Sequence, residues 1–156
     1  MRIYLPATLL ELAAPAGLSP RVVHAVTRDL RAAVPDEDEE GLEYLAQLLA
    51  AVDALALLAP LPGPARRRVV VAADVSEAVV EALDDTDGTR APSAVRLTAA
   101  VGWDDVACAH VDEAAARADV TAAVAGDPAA LASLEERDLL WYDVSEFATL
   151  AAEARA

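Results

Sequence analysis

The sequence predicts an α+β protein in which helices pack against a mixed β-sheet. Residues 69–73 form a continuous apolar run, which is typical of a strand buried on both faces. Residues 39–59 carry leucines at helical spacing. Residues 67–143 alternate in the order β-α-β-β-α-β, which is the order of a ferredoxin-like unit. The chain of 156 residues has the size of one domain, and we expect residues 1–156 to form a single one.

The first part of the chain predicts another alternation of strands and helices. Residues 2–6 are rich in strand-forming side chains, and a short helix is expected to follow them. Residues 19–34 fit either one continuous helix or a strand at 22–26 followed by a helix that Thr27 caps. The cluster of β-branched residues favours the strand. Residues 2–34 then have the order β-α-β-α, which leaves a partial internal duplication open as an interpretation.

The clearest predicted helix covers about residues 39–59 and follows an acidic stretch that suits the positive end of a helix. Its predicted core face consists of apolar residues at helical spacing: Leu42, Leu45, Leu48, Leu49, Val52 and Leu55. Leu57 and Leu58 lie outside this face, and we expect the Pro-rich connection at 60–64 to cover them. The alternative is that they form the contact of a symmetric homodimer.

After the Pro-rich connection, capping residues and apolar runs determine the expected elements. Asp74 is expected to open a helix that ends near residue 83, and Asp112 to cap a helix that ends near residue 125. Trp141 is expected to be buried in the last strand. The strands are expected at residues 68–73, 94–98, 106–111 and 139–142.

Charge and composition exclude several classes of protein. The formal net charge is −15, so the protein repels phosphates and we expect no nucleic-acid partner. All the basic residues are arginines, which a GC-rich bacterial genome explains more simply than any folding constraint. The only basic run, Arg66 to Arg68, is short, and we interpret it as the solvated entrance of a strand.

Cysteine usage and hydropathy indicate the compartment. Cys108 is the only cysteine, so the chain forms no internal disulfide, and its strand context predicts an inert buried thiol. The N-terminal residues lack the pattern of a secretory leader. The longest apolar stretch, residues 48–61, is interrupted by Asp53 and is too short for a membrane-spanning helix. We therefore expect a cytoplasmic protein without a membrane partner.

Four residues are candidates for catalytic chemistry. His24 and His110 are the only histidines, and histidine is the common acid–base group near neutral pH. Asp112 follows His110 by two positions, so both would share one face of an extended segment, where the carboxylate would orient the imidazole. Tyr4 is the fourth candidate. These residues would meet in a pocket at the strand ends.

The sequence lacks the common motifs for metals and cofactors. The acidic turn at 84–88 has a calcium-loop composition, but Leu83 and Ala94 stand where an EF-hand needs acids. Neither histidine has zinc-site spacing, and no glycine-rich phosphate loop or nucleophile motif occurs. We expect no metal and no cofactor.

Several segments together point to a known family. They are MRIYLPAT at 1–8, HAVT at 24–27, DEEGLEY at 38–44, VVVAADV at 69–75, HVDE at 110–113 and LWY at 140–142. With these segments the chain resembles an uncharacterised actinobacterial domain family of unknown function, over nearly its whole length. The resemblance agrees with a GC-rich bacterial origin and implies no activity and no catalytic residue.

Two functional hypotheses follow from the sequence. The leading one is a non-catalytic binding or interaction domain for a protein or a small molecule. The alternative is a small enzyme that uses His110 and Asp112 together with His24 or Tyr4. The hypotheses differ in whether His24 and His110 line one solvent-reachable pocket.

Overall fold

The computed structural model describes residues 1–155, and these confirm the predicted α+β class. The strands of the sheet are β1 (Arg2–Ala7), β2 (Val22–Ala25), β3 (Val69–Asp74), β4 (Val80–Ala82), β5 (Ala94–Leu97), β6 (Val106–Val111) and β7 (Leu140–Tyr142). The α-helices are α1 (Arg28–Ala33), α2 (Glu39–Ala56), α3 (Arg117–Val124), α4 (Pro128–Glu135) and α5 (Phe147–Glu153). Short 3-10 turns join several of these elements.

The sheet has the strand order β4-β5-β2-β1-β3-β6-β7, and every neighbouring pair is antiparallel. The first strand, β1, lies at the centre between β2 and β3. The strands that precede the Pro-rich connection at 60–64 therefore pair with strands that follow it.

Both faces of the central strands are covered. Along β1, Ile3 and Leu5 belong to an apolar cluster that includes Phe147 of α5, whereas Tyr4 belongs to the cluster beneath α2. Because the next strand, β3, lies between the same two layers, residues 69–73 are fully buried at every position. This explains the continuous apolar run in the sequence.

Helix α2 packs on the sheet through alanines, and the predicted leucine face is wrong in part. Ala46, Ala50 and Ala54 are fully buried, whereas Val52 is 61% exposed and Leu49 is only partly buried. Alanines spaced four residues apart let the helix approach the sheet closely, so the larger residues lie along its flanks. No helix among residues 1–155, α2 included, is long and apolar enough to cross a membrane.

The two leucines after α2 have different environments. Leu58 is fully buried in a cluster that includes Val120 of α3 and Leu134 of α4, with Leu61 of the Pro-rich connection packed against it. Leu57 is partly exposed. Burial of Leu58 within the chain agrees with the expected covering, and the homodimer stays a prediction.

The helix predicted from Asp74 to about residue 83 is wrong. Ser76 caps a 3-10 turn, Glu77–Val79, and the chain then continues into β4. Val80 and Ala82 pair with β5 at the edge of the sheet. The β-branched residues Val79 and Val80 favour this extended backbone over a helix. The predicted β-α-β-β-α-β order of 67–143 therefore lacks its first helix.

The interpretation of residues 19–34 as a strand followed by a helix is confirmed. Strand β2 pairs with both β1 and β5, and the hydroxyl of Thr27 accepts a hydrogen bond from the amide of Leu30 at the start of α1. The polar side chain thereby satisfies one of the free amides of the first helical turn.

A buried ion pair contradicts two further predictions. Arg67 and Arg68 are buried rather than solvated, and Asp112 caps no helix. The carboxylate of Asp112 accepts hydrogen bonds from the backbone amide and the guanidinium of Arg68, at 2.8 Å each. Arg67 forms an ion pair with Glu153 of α5. These contacts join β3 to the end of β6 and to α5.

Candidate functional site

A cleft of about 620 Å³ lies between the N-terminal half of α2 and the sheet. Its walls come from β1, β6, β7 and α2. Its lining includes charged, aromatic and other titratable side chains: Arg2, Tyr4, Glu40, Glu43, Tyr44, Cys108, His110 and Trp141.

The sheet register explains why there is space for a cleft. Tyr4 of β1 lies opposite Ala72 of β3, and Ala72 lies opposite Cys108 of β6. The small side chain of Ala72 therefore separates two larger ones on the same face of the sheet. On the next strand, Trp141 of β7 lies opposite His110.

Aromatic side chains are concentrated in the cleft. The chain contains only two Trp, three Tyr and one Phe, and Tyr4, Tyr44 and Trp141 all line this one space. Trp141 is 60% exposed, so the expectation that it is buried is wrong. It lies on β7, the edge strand, where one flank of the side chain has no neighbouring strand to cover it.

The charges around the cleft are mainly negative. The guanidinium of Arg2 donates two hydrogen bonds to the carboxylate of Asp74, at 2.8 and 2.9 Å, so this cation is already paired. Glu40 and Glu43 line the cleft and have no hydrogen-bond or ion-pair partner within residues 1–155. A ligand in the cleft therefore meets carboxylates whose charge is not balanced.

The titratable groups at the floor of the cleft are held in their uncharged forms at neutral pH. Burial raises the pKa of Tyr4 to about 12, with the nearby Glu43 adding to the effect. Burial also raises the pKa of the Cys108 thiol. It lowers the pKa of His110, and the positive charge of Arg2 lowers it further. The Sγ atom of Cys108 lies 3.6 Å from Nε2 of His110, a weak contact between two neutral groups.

The structure brings together two of the four predicted catalytic candidates. Tyr4 and His110 line the same cleft. Asp112 is fully buried with Arg68 and does not orient the imidazole of His110. The reason is that β6 ends at Val111, so the two side chains no longer share one face of a strand.

His24 lies away from the cleft and is 1% exposed. Its Nδ1 atom lies 2.7 Å from the hydroxyl of Ser93, and its Nε2 atom lies 2.6 Å from Oδ2 of Asp53 on α2. The imidazole thus joins α2 to β2 and to the residue before β5. His110 lines the cleft and His24 does not, so the two histidines do not meet there.

Sequence reasoning missed several of the residues that form the cleft. Glu43 lies in the acidic stretch that suits the start of a helix, Arg2 and Tyr44 appear only within the segments of the family resemblance, and none of the three is among the candidate site residues. The signal available was the scarcity of aromatic residues, because a rare tyrosine on the exposed side of a helix needs an explanation. Within residues 1–155, no three metal-ligating side chains lie close enough together to hold an ion.

Comparison with known proteins gives a family and no activity. The model of a family of unknown function, DUF6912, matches residues 1–151, so the chain belongs to that family. No curated protein and no solved structure matches the chain significantly. The resemblance to an uncharacterised domain family is thereby confirmed, and functional inference depends on the geometry of this structure.

Proposed function

We propose that the protein is a small-molecule-binding domain whose cleft takes a small organic cation. The observation that carries this proposal is the meeting of three aromatic side chains with two unpaired carboxylates, Glu40 and Glu43, around one space. The faces of Trp and Tyr rings attract cations, and the attraction is strongest where water is partly excluded. The carboxylates add a longer-range attraction to the same charge.

The other groups of the cleft oppose a cation only weakly. Arg2 carries a positive charge, which its two hydrogen bonds to the carboxylate of Asp74 offset in part. His110, Cys108 and Tyr4 carry no charge at neutral pH, because the pKa of each is shifted toward its neutral form. The cleft therefore favours positive ligands over anions.

Binding is favoured over catalysis because two of the four candidate catalytic residues lie outside the cleft. Asp112 and His24 lie outside the cleft, and the imidazole of His110 has no carboxylate to orient it. Cys108 is a poor nucleophile, since a raised pKa keeps the thiol protonated. Tyr4 and His110 remain available as polar contacts for the bound ligand.

Calorimetry with two matched probes tests the proposed cation site. Choline carries a trimethylammonium group, and 3,3-dimethylbutanol has the same shape without the charge. We expect choline to bind at least about tenfold more tightly, because only the cation gains from the aromatic faces and the carboxylates. Equal binding of the two, or tighter binding of benzoate through Arg2, would overturn the proposal.

Variants identify the residues that carry the selectivity. Glu43→Gln and Trp141→Leu should each weaken choline binding several-fold, by removing a charge or an aromatic face. Glu135→Gln is the matched control, because Glu135 is exposed on α4 and has no ion-pair partner in the described chain. Choline binding that is unchanged in both cleft variants would place the ligand elsewhere.

The location, the origin and the absence of a nucleic-acid partner stay predictions. A cytoplasmic location, a bacterial origin and the absence of a nucleic-acid partner depend on composition and on the net charge of −15. A gel-shift assay at physiological salt should detect no binding to DNA or RNA, because the net charge of −15 repels phosphates. The burial of Arg67 and Arg68 supports this expectation, because it removes most of the only arginine run from the surface.

A further inference from the structure

A second cavity, of about 490 Å³, lies at the opposite end of α2 from the cleft. Its polar side is formed by Asp53, which projects from α2, and by Arg21 just before β2. Its apolar side includes Val22 and Leu57, which are among the more exposed large apolar side chains of the protein.

Asp53 is the outer end of a hydrogen-bonded chain that runs from the cavity into the core. Its Oδ2 atom lies 2.6 Å from Nε2 of His24, and Nδ1 of His24 lies 2.7 Å from the hydroxyl of Ser93. A neutral imidazole with its proton on Nε2 satisfies both contacts, since it donates to Asp53 and accepts from Ser93. The side chain of Asp53 is 48% exposed, whereas His24 is almost completely buried.

The three residues are those of a hydrolase triad, but the geometry excludes that chemistry. In a triad, the hydroxyl faces the substrate and the carboxylate lies behind the histidine. Here Ser93 is 0% exposed and the carboxylate is the end that reaches the cavity. The hydroxyl has no access to an acyl group, so the chain of hydrogen bonds positions Asp53 instead.

The carboxylate of Asp53 is held in place and keeps an acceptor free. Within residues 1–155, its Oδ1 atom receives no hydrogen bond, while Oδ2 is held by His24. The neighbouring cation is already neutralised, because Arg21 pairs with Glu11 at 2.6 Å and donates to the carbonyl oxygen of Pro6. The cavity therefore presents a fixed carboxylate with a free acceptor beside an apolar wall.

We propose that this second cavity binds a small molecule that joins a primary ammonium group to an apolar body. The ammonium donates a hydrogen bond to Oδ1 of Asp53, and the apolar body packs against Val22 and Leu57. A fixed carboxylate favours such a ligand because little orientational freedom is lost when the hydrogen bond forms. The ligand class differs from that of the cleft in requiring an N–H donor. The proposal does not depend on the proposed function of the cleft.

Histidine NMR gives a separate readout for each cavity, because His24 reports on the second cavity and His110 on the cleft. The signals are assigned with a His110→Gln variant, and the probe is benzylammonium titrated into the native protein. We expect saturable shifts of the His24 ring signals, since the imidazole shares a hydrogen bond with the carboxylate that the probe contacts. Unchanged His24 signals would overturn the proposal, whatever happens at His110.

Two controls test the stated chemistry. Benzyltrimethylammonium has the same ring and charge but no N–H donor, and it should shift the His24 signals at least about tenfold less effectively. Leu57→Trp fills the cavity while leaving Asp53, His24 and Ser93 unsubstituted, and it should weaken benzylammonium binding by a similar factor. Equal shifts of the His24 signals with the two probes would refute the site. Undiminished benzylammonium binding by a Leu57→Trp variant whose His24 signals are native before the titration would refute it as well. Asp53→Asn should also weaken binding, provided that its circular dichroism spectrum is native.

Discussion

His110 and Asp112 lie two positions apart, and the end of strand β6 between them places them in different environments. His110 is still part of the strand and points into the cleft, half-buried and paired across the sheet with Trp141. Asp112 follows the strand, and its backbone amide donates to the carbonyl oxygen of Arg68. Its carboxylate accepts hydrogen bonds from the guanidinium of Arg68 inside the protein, where water does not compete for either group. His110 is therefore open to a ligand, whereas Asp112 holds the end of β6 to the start of β3.

Asp112→Ala should strongly destabilise the protein. The change leaves the buried guanidinium of Arg68 without its partner, and breaking a buried pair in this way costs about 3–5 kcal/mol. Urea unfolding measures the difference in the free energy of unfolding. Asp74→Ala, which breaks the exposed pair with Arg2, is the control and should cost less than about 1 kcal/mol. Losses of equal size in the two variants would contradict the assigned role of Asp112.

The imidazole of His110 should titrate below the ordinary histidine value of about 6.5, because burial and Arg2 both lower its pKa. The unfolded chain then binds this proton at a higher pH than the folded protein does. The neutral imidazole contributes its full stability above about pH 6.5, and this contribution is lost as the pH falls below that value. An NMR titration of the Hε1 signal measures the pKa. Arg2→Gln should raise it, and a native value at or above 6.5 would contradict the prediction.

At the scale of residues, the sequence predicts which side chains lie in the cleft better than it predicts which side chains contact one another. His110 is a candidate in the sequence because histidine is the common acid–base group near neutral pH, Tyr4 is a further candidate, and both line the cleft. Asp53 was noticed only as an interruption in an apolar stretch. Its partner His24 is 29 positions away along the chain, and His24 and Ser93 are separated by 69 positions. No local pattern encodes such contacts, because the sheet and α2 bring the three residues together only after folding.

Helix α2 shows where periodicity alone is ambiguous at the scale of elements. Leucines and alanines alternate along it so that two neighbouring faces are both apolar, and hydropathy favours the leucine face. Packing favours the alanine face, because Ala46, Ala50 and Ala54 let the helix lie directly on β1 and β3. The extent of the helix was predicted to within three residues, and its orientation was not. The same limit applies to β4, where a capping pattern was mistaken for the start of a helix.

Ala50→Leu should destabilise the protein by about 1–3 kcal/mol, because the added atoms have no space between α2 and the sheet. Thermal unfolding followed by circular dichroism measures the change in Tm. Ala56→Leu is the matched control, since Ala56 belongs to the same helix and is exposed. It should change the stability by no more than about 0.5 kcal/mol. A harmless Ala50→Leu would show that α2 does not rest on its alanine face.

At the scale of the whole molecule, the order of the strands was the least predictable feature. The sequence predicts each strand except β4 to within about two residues, but the pairing of β2 with β5 joins Val23 to Val95 across nearly half of the chain. The central ladder likewise joins Leu5 of β1 to Val71 of β3. Such pairings are set by which buried faces fit together after collapse, and any of several orders satisfies the same local pattern. The α+β class was predictable because it depends only on the kinds of elements present.

This interleaving of strands predicts that the protein unfolds in a single transition. Strands β1 and β2 precede the Pro-rich connection at 60–64, yet in the sheet they lie between β5 and β3, which follow it. Neither part of the chain keeps a continuous sheet when the other unfolds, so each would expose its apolar face to water. A Trp141→Phe variant keeps only Trp103, the tryptophan that packs on Phe147. In this variant we expect the urea unfolding curves from circular dichroism and from Trp103 fluorescence to coincide. Fragments 1–62 and 63–156 should each fail to unfold cooperatively alone. Two separate transitions, or a cooperative transition in either fragment, would show that the Pro-rich connection divides the chain into independent units.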